Sequence, residues 1–307
     1  MQRNLSLGIL AGISTGVFWG IPFLVPQILS QFSSLEISFG RFFFFGLISL
    51  LFIKKVFGIV KKLSNQDRWI LFFLSASGFW FYSTLLFWGV QATDGIISSL
   101  IIGLLPISIS LFAPDRKNSG SRFFIGLLFL LIGIVNLFAY PVCQGLKLMK
   151  APSALGVLAL VACLCLWTWF AINNTQFLQR NAQIERKDFA SVVGVVSLIS
   201  ITPIFLTQVH LGELIHREGF HTYLLSSMAL GFGSSWLANW LWNICSFHCP
   251  SEISGPLIVS ETVFGLLYSF IYEARLPHVY EGASIVLFLL GVFLTVTSQM
   301  RGKRINA

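Results

Sequence analysis

Charge is what this sequence has least of. Only 10% of its 307 residues are Asp, Glu, Lys or Arg, whereas 55% are hydrophobic and the mean hydropathy is +0.81. A soluble domain carries about 25% charged residues, so the scarcity excludes a soluble enzyme and an intrinsically disordered chain alike. No phosphate-cradling loop of the Walker type is present, so the chain is not by itself an ATP-driven pump. There is no His-Glu-x-x-His, and no Ser, His and Asp set falls at a common depth. The five Cys are too few and too scattered for a disulfide framework; Cys163, Cys165 and Cys245 read as small packing residues within apolar runs. No hydrophilic stretch is long enough for a second, soluble domain.

What is present is a series of long apolar runs. They fall at about 7–29, 34–53, 69–91, 95–114, 122–140, 154–178, 189–209, 222–248, 252–272 and 281–300. Phe42 to Ile53 is apolar on all sides, which argues for helices against the alternating strands of a barrel. The expectation is an all-α integral membrane protein with ten transmembrane helices. If the N-terminus is cytoplasmic, fifteen Lys and Arg lie inside: Arg3; Lys54, Lys55, Lys61, Lys62 and Arg68; Arg116, Lys117 and Arg122; Arg180, Arg186 and Lys187; Arg301, Lys303 and Arg304. Only Lys147, Lys150, Arg217 and Arg275 lie outside. That asymmetry predicts both termini in the cytoplasm of a bacterium, with the chain in its inner membrane. The net charge of +8 is then a topology signal, and no nucleic-acid partner is expected.

Trp80 and Trp236, Ser98 and Ser254, and Gly126 and Gly282 are each 156 residues apart, an offset that superposes spans three to five on spans eight to ten. Five spans per half is an odd number, so the second half must insert upside down. The halves are expected at 1–146 and 150–307. The Trp19-Gly20 pair, the single Arg41 early in span two, the Gly-rich fourth span with Pro106, and the run from Gly255-Pro256 through Glu261, Glu273 and Gly282 to Gly291 resemble the EamA-like branch of the drug/metabolite transporter superfamily. The resemblance covers essentially the whole chain. It implies ten helices as two inverted five-helix repeats around a central cavity, with cargo among amino acids, sugars, nucleotides, S-adenosylmethionine or drugs. Where that family usually has Glu-Pro in the ninth span, this chain has Glu261-Thr262.

A charge near the bilayer centre needs a partner, a water-filled cavity or a function. Glu261 and Arg41 are the two such residues, Glu261 as a proton-coupling or substrate-contact group and Arg41 as a buried charge that otherwise snorkels or pairs with a helix end. Glu36, Asp94, Glu273 and Glu281 lie at outer span ends, where Asp94 and Glu281 can cap helices. Polar-aromatic stripes mark faces expected to turn inward: Trp236, Trp240, Asn243 and Phe247 with Asn239 and Trp242 beside them; Trp169, Asn173 and Gln176; and Trp80, Thr84, Trp88 and Gln91. Trp19, Ser14, Thr15, Ser108 and Ser110 are further wall candidates. Pro22, Pro106 and Pro256 mark places for a bend or gate. His210, Glu213, His216, Glu218 and His221 fit no closed zinc spacing and read as a solvated loop, so neither metal nor cofactor is expected.

The leading expectation is a secondary transporter, an exporter of a small amino-acid-like or aromatic metabolite, driven by proton exchange or by the solute gradient. Uptake or exchange of S-adenosylmethionine or a nucleotide-type solute is the alternative within transport. An intramembrane lipid-carrier enzyme or a flippase subunit is the alternative outside it. The oligomeric state stays open.

Overall fold

The computed structural model describes residues 4–112, 121–143, 153–181, 184–249 and 257–304, and every regular element among them is helical. In the first half, α1 (Leu5–Trp19) continues into α2 (Ile21–Ile28), and α3 (Ser34–Leu50) returns. There α4 (Ile53–Lys62) turns away from α3 by 91°. Helix α5 (Asn65–Ser75) runs through a wide π turn, Ala76–Trp80, into α6 (Phe81–Ala92); α7 (Gly95–Ile102), α8 (Leu105–Phe112) and α9 (Ser121–Cys143) follow. The second half has α10 (Ala154–Arg180), α11 (Arg186–Gln208) and the short α12 (Leu211–His216). Then come α13 (Phe220–Met228), a π segment Ala229–Leu237, α14 (Ala238–His248), α15 (Ser260–Tyr272) and α16 (Val279–Arg304).

Local chemistry sets the starts. Asn4, Ser64, Asp94 and Ser153 each accept a backbone N–H of the first turn that follows, and Ser33 and Glu36 form a reciprocal capping box. Proline sets the breaks. Pro22 has no N–H for the Phe18 carbonyl, and the first crossing breaks at Gly20; Pro106 has none for Ile102, and α7 parts from α8 at Gly103 and Leu104. The bends expected at Pro22 and Pro106 are thus helix boundaries, while Pro256 lies outside the described residues.

The apolar runs promise ten unbroken spans, and the structure is more divided. Leu5–Ile28, Asn65–Ala92, Ala154–Arg180 and Asp188–Gln208 are long and apolar enough to cross a membrane, and the bent pair α3 and α4 passes only as a unit. Gly95–Ile109, Ser121–Leu137 and Val279–Thr295 are shorter apolar helices. The break before Pro106 falls within Gly95–Ile109, and the charged turn at Lys54 and Lys55 bends α4 away from α3.

Helices from the two halves interleave. The most extensive pairings are α9 with α16, α3 with α11, and α1 with α14; α10 packs on α6, and α15 packs on α1 and α7. Small residues allow this closeness, because lipid tails leave packing rather than hydrophobicity to hold helices together. Gly8, Gly12, Gly16 and Gly20 form one ridge of α1. A β-carbon on Gly16 would sit 2.8 Å from the Ser260 backbone carbon, and one on Gly20 would sit 2.9 Å from the Gly265 nitrogen. At the α9–α16 seam, Gly126 and Gly291 each approach the other's carbonyl oxygen so closely that an added β-carbon would lie 2.7 Å away.

Connections at one end carry most of the Lys and Arg, while Glu36, Asp94, Glu273 and Glu281 gather at the other. These are called the basic and the acidic end below. Gly16→Ala should lower the thermal midpoint of the purified protein by the equivalent of about 1–3 kcal/mol, the usual cost of overpacking. Gly58→Ala, where no atom lies within 4 Å of the added carbon, should leave the midpoint unchanged or raise it.

Candidate functional site: a cavity between the halves

A cavity of about 850 Å³ lies between the two halves, within the range of small-molecule sites. Its deep part is walled by Trp19 and Pro22 from the first crossing, Arg41 from α3, Tyr82 from α6, Leu105 from α8 and Glu261 from α15. Asn174 and Trp167 on α10 and Ser234, Asn239, Trp242 and Asn243 on the eighth apolar run form the sides. Gln179, Ile184, Glu185, Phe189 and Ser246 form the mouth. All five belong to the basic end, and Gln179 and Glu185 are exposed there.

The two buried charges differ in how they are held. The Arg41 Nε donates to Ser235 Oγ at 2.9 Å and its Nη1 donates to Ser83 Oγ at 3.1 Å, so one side chain ties α3 to a helix of each half. It neither snorkels nor pairs with a helix end. Glu261 lies in the first turn of α15 beside the cavity, where a carboxylate is favoured by the free N–H groups of the helix start. Among the described residues its carboxylate has no hydrogen-bond partner. Asn174 Oδ1 and Ser234 Oγ are likewise buried at the cavity wall without a partner, and the tilted indoles of Trp19 and Trp242 stand 5.4 Å apart. The wall therefore offers a carboxylate, an amide oxygen, a hydroxyl and aromatic faces to whatever enters.

The acidic end is closed. Arg217 Nη1 lies 2.9 Å from Glu36 Oε2, with the guanidinium 5.2 Å over the Phe32 ring. Gln31 donates to the Glu218 carbonyl at 2.7 Å, and Tyr223 donates to the Glu36 carbonyl at 2.8 Å. Tyr272 donates to the Gln27 carbonyl at 3.1 Å. Each of these contacts joins one half to the other. Beside them Arg275 grips Glu281 with two nitrogens at 2.6 and 2.8 Å and Glu273 with a third at 2.6 Å. Those bonds, those to Glu281 above all, hold the Arg275 guanidinium above its ordinary value. Asp94 caps α7, and burial pushes its carboxyl up to about 6. Glu281 also accepts the His278 N–H at 2.7 Å.

Of the residues singled out from the sequence, Trp19, Arg41, Asn239, Trp242, Asn243, Glu261 and Pro22 line the cavity together. The others are elsewhere. Trp80 and Trp236 pack against Phe42, Phe45 and Ile201, between α3 and α11. Trp88, Trp169 and Trp240 point outward, with 41%, 43% and 53% of their surface exposed. Asn173 turns its amide back to the Trp169 carbonyl at 2.8 Å. Pro106 sits at the start of α8 away from the cavity wall.

The physical reasons are two. One is that the face of α6 turned to the cavity carries Tyr82 and Leu86, whereas Thr84 and Trp88 of the same regular helix lie on another face. An asparagine can also meet its own hydrogen-bonding demand by returning to the carbonyl four residues earlier. Trp167 and Asn174 are thus the inward residues of α10, and only their own helix face, two positions from the stripe read in the sequence, could have revealed them. The Gly8, Gly12, Gly16 and Gly20 series was open to detection as a four-residue repeat of small residues. Among the described residues no three His, Cys, Asp or Glu converge on a point that could hold a metal.

Residues 6–139 match the model of the EamA-like transporter family. That stretch of the chain is similar to the family. Inner membrane protein YtfF of Escherichia coli (strain K12) is 27% identical to it over 316 aligned positions, 95% of each chain. An uncharacterized transporter of Haemophilus influenzae is 30% identical over 88 residues, 29% of this chain and 50% of that one. A solved crystal structure superposes with a TM-score of 0.65 over 99% of this chain and 100% of its own, at 15% identity, a likeness of fold. With these relatives and its several apolar helices, this chain is a multi-pass membrane protein similar to transporters of the EamA-like kind. Cysteine substitution tests the lining: Asn243→Cys should react with a membrane-impermeant thiol reagent supplied at the basic end, whereas Trp240→Cys should not. Equal labelling of both would place the cavity wall elsewhere.

Proposed function

We propose that the chain is a ten-span secondary transporter of a small metabolite, amino-acid-like or aromatic, that works by alternating access between inverted repeats at 1–146 and 150–307. The observation that carries this reading is a cavity between the halves, open at the basic end, sealed at the acidic end, and holding a carboxylate with no hydrogen-bond partner among the described residues. The pairing pattern supports the inversion: α1 packs on α14 as α10 packs on α6, and α3 with α11 and α9 with α16 pair each element with its expected counterpart. Wide turns end at or next to Trp80 and Trp236, the two tryptophans at the 156-residue offset.

On this reading the basic end is cytoplasmic, and the solute is taken from the cytoplasm and released outside. Its flat body packs against the Trp19–Trp242 pair, and Asn174, Ser234, Asn239 and Asn243 orient its polar groups. Glu261 exchanges a proton for the solute or contacts it directly; Arg41, held by Ser83 and Ser235, is a fixed positive charge across from it. Outward opening requires breaking the Glu36–Arg217 pair and the Gln31 and Tyr223 bonds, with the basic end closing in exchange.

Two measurements test this. In proteoliposomes, a panel of labelled amino acids, nucleosides and S-adenosylmethionine analogues should contain at least one solute that moves above empty-vesicle background; no movement of any would overturn transport of this class. For that solute, Glu261→Gln should abolish flux driven by a proton gradient while sparing solute exchange, and unchanged coupling would remove Glu261 from the role. Glu36→Gln should raise labelling of Asn239→Cys by an impermeant reagent applied at the acidic end; labelling equal to that in the Glu36 background would mean that this pair is no gate.

A further inference from the structure

We propose that α4 is a docking surface for anionic phospholipid headgroups, lying in the plane of the membrane at the basic end. The geometry begins with α3. At 1.5 Å per residue its 17 residues cover roughly 25 Å, most of the ~30 Å depth of a hydrocarbon core, and α4 leaves its end at 91°. A helix that crosses the bilayer thus hands over to one that runs along its surface.

The residues of α4 divide among three sides at 100° per residue. Val56, Ile59 and Val60 pack inward on a core that includes Leu63, Ile184 and Phe189. Ile53 and Phe57, with Phe52 just before them, remain exposed. They continue the apolar flank formed by the exposed Leu47, Leu50 and Leu51 at the end of the α3 crossing. The third side carries Lys54, Lys61 and Lys62, all exposed. Lys55 is committed to the protein, its Nζ 2.9 Å from Asp188 Oδ2 on α11. Apolar side chains at one level and lysines at the next are the pattern of an interfacial helix.

Two further features fix this surface in place. Arg68 donates to the Val60 and Lys61 carbonyls at 3.2 Å each, satisfying the last turn of α4 and holding the Lys61-Lys62 pair rigid. Trp69, beside it, is exposed at the start of the next crossing, where an amphipathic indole favours the headgroup level. An acidic soluble protein could match the lysines, but its approach would leave Ile53 and Phe57 facing water; a leaflet of anionic lipid matches both. A lysine at such a surface enriches anionic headgroups by roughly five-fold.

Phe57→Trp supplies the probe, read as fluorescence added over the parent protein, which keeps phenylalanine there. The full chain is reconstituted in phosphatidylcholine vesicles containing equal fractions of either brominated phosphatidylglycerol or brominated phosphatidylcholine. The added fluorescence should be quenched by both lipids and at least two-fold more by the anionic one. That excess should vanish when Lys54→Gln, Lys61→Gln and Lys62→Gln are combined, and persist when the same three positions carry arginine. Equal quenching by the two lipids, an excess that survives the glutamine substitutions, or a probe quenched by neither lipid because α4 faces water or a soluble partner, would each overturn the proposal. Quenching by both lipids that persists in the glutamine set shows that its α4 still lies in the membrane, so loss of the excess there reports the charge and not misfolding.

Discussion

Within a bilayer no water completes a hydrogen bond, and that constraint organises this molecule. Most of its buried hydroxyls meet it without leaving their own helix. Thr15 donates to the Ala11 carbonyl, Ser49 to Phe45, Ser75 to Leu71, Thr168 to Leu164 and Thr202 to Leu198, each one turn back. Asn173 and Asn239 do the same with their amides. Having closed these bonds locally, the helices are free to pack through glycine and serine at short range. The few polar atoms left open are correspondingly conspicuous, and Glu261, Asn174 and Ser234 share one cavity.

The same constraint explains what could be read in advance. Hydropathy and the distribution of Lys and Arg reflect the bilayer directly, so the all-helical class, the positions of the apolar runs and the identity of the two buried charges were legible. The breaks at Pro22 and Pro106 were legible as positions, though not as helix boundaries. Helical faces were less so, because an amide or indole in an apolar run can point three ways: inward to a cavity, back to its own backbone, or sideways into a helix interface. Asn243, Asn173 and Trp236 take these three courses in turn. Sequence period alone does not separate them.

The two ends of the molecule are built on different principles. At the acidic end the charges are paired, one pair joining the two halves; Glu36 is 3% exposed and carries both the α3 cap and the bond to Arg217. At the basic end, the cross-half links are peripheral, the Lys55–Asp188 pair and the Asn4 N–H on His248 Nδ1 at 3.0 Å. They flank the mouth rather than crossing it. The core beneath α4 includes Ile184 and Phe189 of the mouth itself, so the surface helix and the cavity entrance rest on one packed cluster.

The wide turns bear on chain length. A π turn holds about one residue more than the α turn it replaces, so Ala76–Trp80 is in effect a single-residue insertion absorbed within a crossing. A chain one residue shorter there could run as plain α-helix and still present both flanking faces as they stand, Leu71 and Leu74 to the core below and Tyr82 and Leu86 to the cavity above. An alignment gap at this point is therefore compatible with unchanged architecture, whereas a gap of the same size in the unbroken α10 would turn every later side chain by about 100° and carry Asn174 away from the cavity.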